Sequence, residues 1–280
     1  MSTRHSTARE AAPIARAGLI SAIISALALS STAAIAAPVM YVHDSNGRLA
    51  TVDVASGAVN LIGSMGTVMT DIAFDPSGNL FGISFTGLYS INASTAASSF
   101  IGNHGVSGGN ALVFGSDGTL YAAGNTTTSL FSLNLSTGAG TNLGNMGFTS
   151  GGDLAFNAGN FYLASASSQL VRIDLGNLAN TSAVGAFGVS SMFGLATGDN
   201  GILYGVAGTT VYTIDTTTGA ASNGISYAGQ GLGTAFGQSF ITEAGGGNGN
   251  GGTVPEPATL ALLGIGLAGL GAARLRRART

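Results

Sequence analysis

The chain of 280 residues contains no cysteine, no tryptophan and no lysine, and only 5 prolines. Without cysteine there is no disulfide scaffold, no thiolate metal site and no cysteine nucleophile. Charge is equally scarce: 9 arginines stand against 12 acids, so charged residues make up 8% where about 25% is usual. A net charge of −3 with no basic run in the interior argues against nucleic-acid binding through phosphate neutralisation. Hydrophobic residues reach 45%, which argues against general disorder, since disorder requires low hydrophobicity with high charge. What the chain has in excess is glycine, at 46 residues.

The few charges are unevenly placed. Residues 1–36 hold Arg4, Arg9 and Arg16 against Glu10, and residues 253–280 hold Arg274, Arg276, Arg277 and Arg279 against Glu256. Residues 37–243 hold only Arg48 and Arg172 against ten acids, a net of −8. Two basic ends therefore flank an acidic body.

Residues 1–36 read as a secretory signal peptide. A basic stretch closes at Arg16, an apolar run follows from Ala17 to Leu29, and the small-residue site Ala34-Ile35-Ala36 places cleavage after Ala36. An uncleaved membrane helix is the alternative, but this run is short for the roughly 30 Å of a bilayer's hydrocarbon. Export implies the Sec machinery as a partner and an oxidising compartment, which the chain enters without disulfides.

At the other end, residues 244–253 form a Gly/Asn-rich linker, GGGNGNGG at its centre, with no side chains to build a core. Residues 254–280 follow: Pro255-Glu256-Pro257, an apolar run from Ala258 to Ala273, then the basic flank Arg274, Arg276, Arg277 and Arg279. The prolines hold the first part extended. The apolar run suits a short transmembrane helix, and the arginines would lie on its cytoplasmic side. This order of parts closely resembles the PEP-CTERM sorting signal of exported Gram-negative bacterial proteins. The resemblance covers residues 254–280 and implies recognition by an exosortase, removal of the tail after a transient stay in the inner membrane, and delivery to the cell surface or the extracellular polysaccharide matrix. A permanent single-span anchor is the alternative, requiring bilayer thinning or snorkelling arginines.

The body, residues 37–243, repeats with a period near 40 residues. A strand-turn-strand unit recurs at 71–84, 111–124, 153–165 and 194–207, each followed by a second such unit at 87–102, 129–144, 169–185 and 210–224. The turns DPSG, SDG, NAGN and DNG carry the residues tight hairpins demand. Four short strands per repeat predict an all-β fold, a β-propeller of five blades. The chain opens with a fifth second half (48–63, preceded by 40–44) and closes with LGTAFG (232–237), so pairing of the two ends would close the ring with no exposed edge. A different blade count, with 238–243 as an added strand, is the main rival; a sandwich or solenoid would leave the split repeat unexplained. The repeats resemble the bacterial propeller pattern L-Y-x-I-D-x-x-T-G, which carries no reaction with it.

Candidate functional residues are few. Asp53, Asn92, Asn134, Asp174 and Asp215 recur once per repeat, each just before a turn, where an Asx side chain caps backbone amides. Aligning the repeats on Phe74, Phe114 and Phe156 sets Asp71, Ala111, Asp153, Gly194 and Gly233 at equivalent positions on the channel-lining strand. Asp71 and Asp153 at one rim are weak candidates for a Ca²⁺ site, being too few for a full shell; otherwise no cofactor is expected. His104, in the loop GNHGVSGG, could join them in an enzyme acting on polysaccharide as a lyase or hydrolase. GVSGG lacks the strand-turn-helix context of a nucleophile elbow. The sequons at Asn92, Asn125, Asn134 and Asn180 are weak signals in an Asn- and Thr-rich chain. The reading favoured is a secreted, non-enzymatic binding or structural propeller, because catalysis concentrates perturbed titratable groups and this body offers few.

Overall fold

The computed structural model describes residues 37–245. The expected signal peptide with its Ala34–Ala36 site, most of the expected linker, Pro255-Glu256-Pro257, the apolar run and the basic flank lie outside the described residues. Among the described residues no helix is long and apolar enough to cross a membrane.

Twenty strands follow one another among the described residues. They are β1 (Val39–Asp44), β2 (Arg48–Asp53), β3 (Val59–Ser64), β4 (Asp71–Phe74), β5 (Leu80–Ile83), β6 (Gly87–Ile91) and β7 (Ser98–Asn103). Next come β8 (Gly109–Phe114), β9 (Leu120–Gly124), β10 (Ser129–Leu133), β11 (Gly140–Asn145), β12 (Ser150–Asn157), β13 (Asn160–Ser165) and β14 (Gln169–Ile173). The last are β15 (Ser182–Ala186), β16 (Met192–Thr197), β17 (Leu203–Ala207), β18 (Thr210–Ile214), β19 (Ala221–Ser226) and β20 (Ala235–Ser239). They pair into five four-stranded antiparallel sheets, of which four are consecutive (β4–β7, β8–β11, β12–β15, β16–β19) and the fifth runs β20-β1-β2-β3. The first strands β20, β4, β8, β12 and β16 each pack against the next around a closed ring. The body is a five-bladed propeller.

Burial follows from that order. The inner strands β4 and β8 are buried at every residue, whereas the outer strands β3, β7 and β11 contain no buried residue. The hydrophobic core is divided into five clusters, each between adjacent blades. One joins Met40, Val42 and Val52 to Ala196, Tyr204 and Val206 across the closure. Another joins Ala73, Ile83 and Leu88 to Leu112, Phe114 and Leu120. Both faces of a blade thus bury apolar side chains, which is why its inner runs show no polar alternation.

The ring closes by one strand against three. Tyr41 pairs with Ser239, Val42 with Gln238 and His43 with Gly237. This corrects two expectations. The closing strand is 235–239, overlapping LGTAFG (232–237) but with its inner-ring register four residues further on, and part of 238–243 is this same strand, not an added one. The inner-ring partner of Asp71, Ala111, Asp153 and Gly194 is therefore Gly237, not Gly233: Asp71 pairs with Ile83, Ala111 with Ala123, Asp153 with Ala164, Gly194 with Val206 and Gly237 with His43. Phe240, buried against Met40 and Tyr204, fills the position of Phe74, while Phe236 is free for another use.

Candidate functional site

The recurring Asx residues are turn caps in all five blades. The side-chain oxygen of Asp53 accepts from the Ala55 and Ser56 amides, that of Asn92 from Ser94 and Thr95, and that of Asn134 from Ser136 and Thr137. Asp174 does the same with Gly176 and Asn177, and Asp215 with Thr217 and Thr218. Arg48 is occupied in a similar way, its guanidinium 2.7 Å from buried Asp44. Burial alone would raise the Asp44 pKa; the amides of Arg48 and Gly233, the Arg48 side chain and the Asn46 amide outweigh it and hold the carboxylate below its ordinary value. Arg172 is exposed on β14.

Asp71 and Asp153 come together inside the channel, and both are fully buried. Each joins its blade to the next: Asp71 accepts from the amides of Ile72 at 2.8 Å and Leu112 at 2.6 Å. Asp153 accepts from Leu154 and Leu195, both at 2.6 Å. Burial pushes both carboxyls well above the usual carboxylate range, and each feels the other. Glu243 enters from the 3-10 turn Glu243–Gly245, which packs on β8 and β12. Its Oε2 accepts from the Ser239 hydroxyl at 2.8 Å, its Oε1 has no partner, and burial pushes it up to about 8. His43 completes the group. Both its ring nitrogens are buried without partners, and burial brings its pKa down to about 3 despite nearby Asp44. Gly237 lies beneath the Asp71 carboxyl and the His43 ring; a side-chain carbon there would stand 2.6 Å from His43 Nε2.

A cation at this centre would need six or more oxygen ligands. Asp71 and Asp153 already direct their oxygens at backbone N–H groups. Among the described residues no group of three His, Asp or Glu has metal-binding geometry. His104 is elsewhere: its Nε2 bonds the Ser84 carbonyl at 3.0 Å and its Nδ1 accepts from the Val106 amide at 3.0 Å, pinning the β7–β8 loop. None of Asp71, Asp153 and His104 lines the open cavity at the channel mouth.

One open feature is a cavity of about 490 Å³ at one mouth of the channel. Every inner strand or its approach contributes to its lining, with Thr70, Asn110, Gly152, Phe193 and Phe236 at equivalent positions. Each precedes the inner-ring residue of its blade. In four blades the pairing register shifts at this point, between Gly109 and Ala111, Ser150 and Asp153, Met192 and Gly194, and His43 and Asp44. Such bulges re-aim side chains at strand ends, and here they turn Asn110, Phe193 and Phe236 toward the mouth. Phe193 and Phe236 meet edge to face, centroids 6.1 Å apart, and exposed Phe85 stands on the rim. Asn110 is 8% exposed and its Oδ1 has no partner. Among the described residues no lining side chain is ionisable. Period-two reading misses this set, because a bulge breaks the alternation; the residue before each inner-ring position, taken in correct register, is the signal that would have found it.

Among curated proteins none matches the chain. Among solved structures, a symmetrical protein of de novo evolutionary emergence is 16% identical, with a TM-score of 0.51, over 70% of this chain and 96% of that one. A chain of the nidogen/laminin complex is 12% identical, with a TM-score of 0.50, over 74% of this chain and 86% of that one. These likenesses concern the fold. Residues 253–277 match the family model of the PEP-CTERM protein-sorting motif, a substrate signal for exosortase. With five blades closed by pairing of β20 with β1 and that motif behind them in sequence, this is an exported β-propeller carrying a PEP-CTERM sorting motif, addressed to the cell envelope or surface.

Proposed function

We propose that this protein is a non-enzymatic binding or structural propeller of the extracellular polysaccharide matrix. In this reading residues 1–36 are a Sec signal peptide cleaved after Ala36, and the tail passes through the inner membrane before exosortase removes it. No cofactor is required. The observation that carries the reading is the mouth cavity, large enough for a ligand yet lined without one ionisable side chain. General acid–base and nucleophilic chemistry require such groups within reach of the substrate.

A second reading, a polysaccharide lyase or hydrolase, is favoured by one observation: the raised pKa of Asp71 and Asp153, a pattern common at catalytic sites. Both carboxyls are sealed from solvent, however, and already bonded to backbone amides. The two readings separate in one experiment. The purified full chain, mixed with matrix polysaccharide from the producing cells, should co-sediment with it and release no reducing or unsaturated ends. Accumulation of either product would overturn the non-enzymatic reading.

A further inference from the structure

We infer that the mouth cavity is a subsite for an uncharged saccharide, with Asn110 as its polar anchor and Phe193 and Phe236 as its apolar wall. The inference rests on the binding reading above and names the ligand class. Three features of the cavity select it.

Asn110 is more than nine-tenths buried and lines the cavity; its Oδ1 is sealed and meets no donor, while its Nδ2, also without a partner among the described residues, is the amide atom left open to the cavity. A buried amide whose N–H groups go unpaired is costly, and a ligand hydroxyl oxygen accepting from them recovers that cost. Beside it Phe193 and Phe236 form a right-angled aromatic corner, interplanar angle 89°, with both rings partly open to the cavity. The ligand therefore needs O–H groups on one side and C–H surface on another, as a pyranose ring has. Purely apolar ligands would leave Asn110 unpaired in a drier site.

Charge excludes the acidic members of the class. The lining offers no cation to a carboxylate or sulfate, so burying one there would be uncompensated. The acidic body repels anions at longer range as well. The volume of about 490 Å³ lies within the range of small-ligand sites. The rim adds exposed Phe85 and Asn125, extending the same mixture of aromatic and amide surface outward.

Calorimetric titration of the full chain with cello-, malto- and laminari-oligosaccharides, and with oligogalacturonate, tests this. At least one neutral series should bind and oligogalacturonate should not. Asn110→Ala and Phe193→Ala should each weaken the neutral sugar by about tenfold or more, with unchanged circular dichroism. Asn134→Ala, a turn cap, should leave affinity unchanged. Tighter binding of oligogalacturonate, or neutral binding indifferent to both cavity substitutions, overturns the inference. So does retention on whole matrix polysaccharide with no neutral oligosaccharide bound, an outcome that leaves the matrix reading standing. Loss of matrix retention itself is what defeats that reading.

Discussion

At the scale of single residues, the centre of the propeller is a set of titratable groups kept neutral by burial. Glu243 has its pKa raised from 4.5 to about 8. In that window the folded chain holds a proton the unfolded chain releases, so stability falls as pH rises from 4.5 to about 8 and then levels off. Asp71 and Asp153, also raised, act in the same direction. His43 acts oppositely: lowered from 6.5 to about 3, it contributes stability that is complete above 6.5 and is lost as pH falls toward 3. Glu243→Gln mimics the protonated acid permanently. Thermal melts should show this variant more stable than the parent near about pH 9 and indistinguishable from it near about pH 4, where Glu243 is protonated in both states. A parent advantage at the higher pH would show that Glu243 is ionised in the fold.

At the scale of elements, closure depends on β20, whose partners on β1 lie almost two hundred residues earlier in the chain. It supplies one wall of the channel, and Phe240 just beyond it is buried against Met40 and Tyr204. Ending the chain before Ala235 should expose the inner edge of β1 and the β16 face, producing a species that aggregates or binds hydrophobic dye; a monodisperse folded truncation would contradict the closure. Much at this scale was legible in sequence. The hairpin turns and Asx caps are local, so DPSG, SDG and the five Asx positions mark them without reference to the rest of the chain. The register of the last strand was not legible. AFGQSF contains two phenylalanines four residues apart, and only packing against Met40 decides that Phe240 is the core residue and Phe236 the cavity residue.

At the scale of the whole molecule, the sorting motif and the propeller are separable statements about destination and shape. Deleting residues 254–280 should leave the propeller folded and exported but no longer processed or retained at the surface, as cell fractionation would show. Mass spectrometry of the mature parent should find both termini trimmed, and a mature chain still ending at Thr280 would contradict exosortase processing. The average composition of the chain conceals this division, since seven of its nine arginines lie in the terminal segments. The body that remains is charge-poor, and its buried carboxyls are spent on backbone amides.

The sequence by itself determined the destination, the strand content and the period, because each is written in contiguous residues: a sorting motif, turn dipeptides, apolar runs of fixed spacing. Tertiary structure alone decided the chemistry. Asp71, Asp153, His43 and Glu243 are scattered from one end of the body to the other, and only ring closure buries them together, so that the three carboxyls hold protons and His43 stays neutral. Likewise only the bulged inner strands gather Asn110, Phe193 and Phe236 at one mouth. Spacing can place a residue on a strand, but the face it meets and the water it loses depend on the neighbouring blade.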